Sequence, residues 1–123
     1  MILRKIVLAG VACSVTLLVG LGTAAHAADC TEPKDGTDEA PMLSPPLGNV
    51  VTGAGRLQFY SAPNPRCPMP GVFVIPKDFL VAYVRTDNGW SSVMYSNPRT
   101  GDITNGWVRS ERLKVTGTMG PKQ

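Results

Sequence analysis

Six short runs rich in β-branched and aromatic residues recur between residues 57 and 115, none longer than seven residues. They are 57–60, 72–75, 79–85, 90–95, 107–109 and 113–115. Turn-forming clusters separate them: Ala62-Pro63-Asn64-Pro65, Pro76-Lys77-Asp78, Asp87-Asn88-Gly89, and residues 96–106 with Pro98, Gly101 and Gly106. No stretch carries apolar residues at helical spacing over three turns, so the pattern demands an all-β fold, a small barrel or sandwich of five to six short strands. Asp87-Asn88-Gly89 is the clearest hairpin signal, because Asn and Gly accept the positive φ of primed turns. It should join 79–86 to 90–96 as the two central strands. All eight aromatic residues fall between Phe59 and Trp107.

The N-terminus has a different character. Arg4 and Lys5 precede an uncharged stretch, residues 6–27, ending in Ala25-His26-Ala27. That is the pattern of a secretory signal peptide, residues 1–27, cleaved after Ala27. An uncleaved anchor is the competing reading, since about 20 uncharged residues suffice to span a bilayer; the Gly and Ala content of the run and its small-x-small ending favour cleavage. Export then places the protein in the periplasm or outside the cell. The single His (His26) and Cys13 leave with the leader, so the mature protein, residues 28–123, has no imidazole and one cysteine pair, Cys30 and Cys67. In an oxidising compartment that pair is expected as a disulfide. A redox-active role would want close spacing and an activating neighbour, and the pair has neither.

Residues 28–48 read as an irregular arm. Over 29–39 the acids Asp29, Glu32, Asp35, Asp38 and Glu39 face only Lys34, a net charge of −4, and Pro33, Pro41, Pro45, Pro46 and Gly48 punctuate the segment. Such a stretch cannot bury enough apolar surface to fold alone. From residue 41 onward nine Lys and Arg stand against four Asp and Glu, a net +5. Two readings follow: a solvated acidic tail, or an arm that lies over a basic binding face and competes with an acidic ligand. The barrel is assigned to 49–116 and a flexible tail to 117–123.

Three pieces resemble the bacterial SH3 family of small barrels in exported bacterial proteins. Leu57-Gln58-Phe59-Tyr60-Ser61-Ala62-Pro63 is similar to its opening strand. Asn88-Gly89-Trp90 followed by Ser91-Ser92-Val93-Met94-Tyr95 is similar to its turn, Trp and next strand. Gly106-Trp107-Val108-Arg109-Ser110 with Leu113 resembles its closing strand, short helical turn and terminal Leu. Lys77-Asp78 stands where the family usually has a Gly before the central strand. The resemblance implies an SH3-like barrel whose Tyr60, Trp90 and Tyr95 line a shallow groove for extended peptides; the alternative is that Trp90 caps the barrel end and Tyr95 packs across the strand. Arg66, beside Cys67, and Arg85 are placed with them as binding residues. Trp107 and Val108 are expected in the core with Phe73, Ile75, Leu80, Val93 and Leu113.

Catalysis needs a nucleophile with a base, a metal, or paired acids. Beyond the arm the only acids are Asp78, Asp87, Asp102 and Glu111, scattered over different loops, so no catalytic residues, metal or cofactor are expected. Nucleic acid is a poor partner, because no Lys/Arg stripe interleaves with the aromatics. The expected function is non-enzymatic binding in the cell envelope by a monomer with no membrane span in its mature form. Its partner is peptidoglycan, through the stem peptides, or an envelope protein. The alternative is an inhibitor or immunity protein that blocks a peptidoglycan-degrading enzyme through loop 63–70 or 96–105.

Overall fold

The structure, a computed structural model, describes residues 29–120. The expected leader, 1–27, and its cleavage site after Ala27 lie outside the described residues, as do residues 121–123. Seven strands form one antiparallel sheet: β1 (Met42–Val51), β2 (Leu57–Tyr60), β3 (Pro68–Val74), β4 (Phe79–Arg85), β5 (Trp90–Ser96), β6 (Ile103–Arg109) and β7 (Leu113–Thr118), with a 3₁₀ turn, Ser110–Arg112, between the last two. Their order is β3-β2-β6-β5-β4-β1-β7. The all-β expectation holds. The ladder is open rather than closed, with β3 and β7 as edges, and it has one strand more than the upper end of the expected five to six. Pro68 and Pro70 in β3 lack the N–H donors that a further strand would need.

The extra strand is β1. It starts at Met42, inside the segment 28–48 expected to be irregular, and pairs with both β4 and β7. Pro45 and Pro46 sit within its register break against β4, between Met42 and Leu47, so the ladder resumes at Leu47 without needing their missing donors. At the other end, Gly117 and Thr118 of the expected tail pair with Gly48 and Leu47.

The hairpin between β4 and β5 forms as the turn cluster demands. Thr86 N–H donates to the Trp90 carbonyl (2.8 Å), the Thr86 hydroxyl accepts from Trp90 N–H (3.1 Å), and Gly89 takes φ +91°. A second left-handed residue is Lys77, at φ +79° just before β4. Its N–H donates to the Val51 carbonyl (2.8 Å), which fixes the turn onto β1. A side chain in this conformation costs about 1–2 kcal/mol, offset in part by the extra chain entropy of glycine. Lys77→Gly should therefore raise stability by about 0.5–1 kcal/mol in denaturant titration; a loss would show that the turn is not strained.

Inward-facing residues of six strands converge on one cluster: Val51, Leu57, Phe59, Val74, Leu80, Ala82, Val93 and Val108, with Leu113 half-buried beside it. Each large buried aliphatic side chain contributes about 1.5–3 kcal/mol. Gly106 lets β2 approach β6, since a Cβ there would stand 2.7 Å from Phe59 Cδ1. Leu80, Val93 and Val108 are buried as expected, but Phe73 and Ile75 are exposed. Strand alternation explains the correction: Val74 points inward, so its neighbours must point out. The outward Phe73 ring instead carries the Arg56 guanidinium, 4.1 Å from its centroid.

Candidate functional site

The strands β5 and β6 pair residue for residue from Trp90↔Arg109 to Ser96↔Ile103. Alternation along this ladder sorts their side chains into two sets. Ser91, Val93 and Tyr95 of β5 share a face with Val108, Gly106 and Thr104 of β6, the face of the main core. Trp90, Ser92 and Met94 share the opposite, outer face with Arg109, Trp107 and Asn105. Tyr60 pairs with Trp107 and joins this outer set. The register break between Ala82 and Val84 sends Val84 there too.

A second apolar cluster results, made of Ala40, Val84, Trp90 and Trp107 with Tyr60 against it. The Tyr60 and Trp90 rings meet edge to face, 4.9 Å apart at 81°, and the Arg109 guanidinium stacks 3.9 Å from the Trp90 ring centroid. Both contacts are favourable, the first by ring quadrupole geometry and the second as a cation on a π face. Trp90 is only 2% exposed and Trp107 only 1%.

What buries them is the arm. Residues 30–41 run as a strap over the outer face, tied at one end by the Cys30–Cys67 disulfide and at the other by entry into β1. The Glu32 carboxylate accepts from Trp107 Nε1–H at 2.8 Å. Ala40, fully buried, sits in the aromatic cluster. A tight turn shapes the strap between these points: Gly36 N–H donates to the Ala40 carbonyl (2.9 Å) and Ala40 N–H to the Thr37 carbonyl (3.0 Å). Where the strap begins, the hydroxyl and N–H of Thr31 both donate to the Asp29 carboxylate and hold its pKa below the usual value.

Open clefts flank the strap. One, of about 490 Å³, has Tyr83, Ser92, Asn105 and Gly106 in its floor and Glu32 and Asp35 on its strap side. The Tyr83 hydroxyl there donates to Met94 Sδ (3.7 Å). The other, of about 590 Å³, lies toward the β4–β5 turn and is lined by Asp29, Glu32, Asp38, Glu39 and Asp87. A third groove, of about 520 Å³, includes Phe79, Val81, Met94 and Met119.

Of the residues expected to line a peptide groove, Tyr60 and Trp90 are brought together, but under the strap rather than facing solvent. Tyr95 departs from them: it packs half-buried against the main core. The separation of 90 and 95 is odd, which on one strand already places them on opposite faces. Arg85 pairs with Ser91 and so shares the core-side face; its Nε and Nη2 have no hydrogen-bond partner among the described residues. Arg66 is exposed beside Cys67, next to the strap's anchor. Trp107 and Val108, expected in one core, occupy the two different clusters because they are adjacent on a strand. Glu32, Ala40, Tyr83, Ser92 and Asn105 were not foreseen, and only the parity of Ser92 with Trp90 hinted at a shared face. Loop 63–70 is held by Cys67 and enters β3 at Pro68, while the tip of the 96–105 segment is closed by Asn97 and Gly101. Among the described residues no helix is long and apolar enough to cross a membrane. Comparison of the chain with protein-family models, with curated proteins and with solved structures found no match.

Proposed function

We propose that this chain is an exported, non-catalytic binding protein of the SH3-like class. It acts in the periplasm or outside the cell and holds an extended peptide, a peptidoglycan stem peptide or a segment of an envelope protein. The SH3-like reading draws support from the β4-β5-β6 meander, flanked by β1, which pairs with both β4 and the last strand. It draws more from the 3₁₀ turn between the Gly106-Trp107-Val108 strand and Leu113, and from Lys77 adopting a glycine-like φ where the family's Gly would stand. The Cys30–Cys67 disulfide suits an oxidising compartment.

The observation that carries the binding reading is the cleft beside the strap. Its floor offers hydroxyl, amide and main-chain groups from Tyr83, Ser92, Asn105 and Gly106, and its wall offers the carboxylates of Glu32 and Asp35. Polar groups that converge in a concave site beside a rigid aromatic cluster are what peptide recognition uses. Two of the acids beyond the arm lie in turns. Asp78 accepts from Ile75 N–H (2.9 Å) to shape one, and Asp87 belongs to the β4–β5 turn.

Co-sedimentation with purified peptidoglycan sacculi, alongside affinity capture from an envelope extract, tests the proposal. The wild-type chain should be retained on one of them, and Ser92→Arg/Asn105→Arg, which fills the cleft, should cut retention at least tenfold without lowering the thermal midpoint appreciably. Retention on neither, or equal retention of the filled variant, contradicts it.

A further inference from the structure

We propose that the Trp90–Trp107 face is itself a peptide-binding site, held shut by the chain's own residues 31–41, and that it takes an acidic peptide bearing a small apolar residue when open. This inference rests on the binding reading above and names the ligand chemistry of the same face.

Three observations carry it. First, the strap touches the face the way a bound peptide would. Nearly all of residues 31–39 are exposed, and two contacts seat the strap on the aromatics: the Glu32 carboxylate on Trp107 Nε1–H, and the Ala40 methyl among Val84, Trp90 and Trp107. An indole N–H is a donor only, so at a buried ring it needs an acceptor from whatever covers it. Second, the aromatics project from the face of β5 and β6 away from the main core, so they exist as a buried cluster only while something lies over them. An open aromatic patch of this kind marks an interaction surface. Third, the face carries a cation: Arg109 shares it with Trp90 and Trp107 and stacks on the Trp90 ring, while the strap segment 29–39 carries a net −4, so the surface the strap would vacate suits a second acidic segment.

The tethers set the balance. With both ends fixed, the strap meets its own site at an effective concentration in the millimolar range, and an external peptide competes poorly. Releasing the Cys30 end lowers that effective concentration and opens the face. Reduction of the disulfide, or a partner that levers the strap away, would do the same.

The probe is a fluorescein-labelled peptide of residues 31–41 of this chain, followed by anisotropy at low salt against the full chain. Two variants open the strap by independent routes: Cys30→Ser/Cys67→Ser removes the tether, and Glu32→Gln/Ala40→Asp removes both seats with the disulfide in place, so a folding failure of one leaves the other to decide. Each opened variant should bind the peptide at least tenfold more tightly than the intact chain, with a shift in tryptophan emission, and the binding should weaken with salt. A peptide in which Glu32 is Gln and Ala40 is Asp should bind at least fivefold more weakly. Equal affinity for the intact and opened chains, or no binding to any of them, overturns the inference. The sacculi experiment fails separately. If the opened variants bind the peptide and nothing is retained on sacculi or from the extract, the proposed envelope function falls, while the capacity of the face for an acidic peptide stands. If sacculi retain the protein but the peptide binds no variant, the inference falls alone.

Discussion

Replacing Trp90 with alanine should lower the free energy of unfolding by about 3–5 kcal/mol, the range for truncating a large buried aromatic. The ring is 2% exposed, meets Tyr60 edge to face, packs with Val84, Trp107 and Ala40, and supports the Arg109 guanidinium on its face. Deleting it removes the apolar burial, opens a cavity between rings too rigid to collapse into it, and strips Arg109 of its π partner. The cavity lies directly under the strap, so Ala40 loses its seat as well. Trp90→Phe, which keeps an aromatic face, should recover more than half of the loss. Denaturant unfolding of the three proteins measures both numbers. A cost below about 1 kcal/mol for alanine would mean that the outer cluster is not a packed unit.

The disulfide should matter almost as much. Cys30 and Cys67 are 37 residues apart in sequence, and closing a loop of that size in the unfolded chain is worth about 3–4 kcal/mol by the chain-entropy estimate. Cys30→Ala/Cys67→Ala should therefore lower the thermal midpoint by roughly 12–32 °C, taking about 4–8 °C per kcal/mol for a domain of this size. The effect has a local part that the loop estimate omits. With the tether gone, the strap holds the outer face through Glu32 and Ala40 alone, and exchange of the Trp107 Nε1 proton should accelerate well before global unfolding. A midpoint unchanged by reduction would show that the two ends of the strap are held in place without the bond. Because Trp90 and the tether both act through the strap, the triple replacement should cost less than the sum of its parts.

Most of the strand pattern was legible in the sequence because it rests on alternation and turn chemistry, which are local. The runs at 57–60, 79–85 and 90–95 became β2, β4 and β5 with at most one residue of difference, and Asp87-Asn88-Gly89 made its hairpin. β1 was not legible: Pro45, Pro46 and Gly48 argue against a strand, and only pairing with β4 and β7 outweighs them. Phe73 and Ile75 were misplaced because a short apolar run does not reveal which parity faces inward, and Val74 claimed the core. Trp90 with Tyr95 and Trp107 with Val108 failed for the opposite reason, since their odd spacings already forbid one face. The strap was half legible. Its charge and its staple could be read directly, but nothing local marks Glu32 as the acceptor for an indole 75 residues away, or Ala40 as a core residue.

Mapping where a ligand lands is the most direct test of the claim that the outer face of β5 and β6 is the binding surface. The measurement is a titration of the ¹⁵N-labelled protein with whichever ligand retains it, soluble stem peptides released from sacculi or the captured envelope protein, read as amide, side-chain amide and indole shifts. Saturating perturbations should gather on Glu32, Asp35, Tyr83, Ser92, Asn105 and the Trp107 indole, with β7 and the core-side face silent. Perturbations centred on β7 or on the Arg85–Ser91 side, or a spectrum that does not change at saturating ligand, would contradict it.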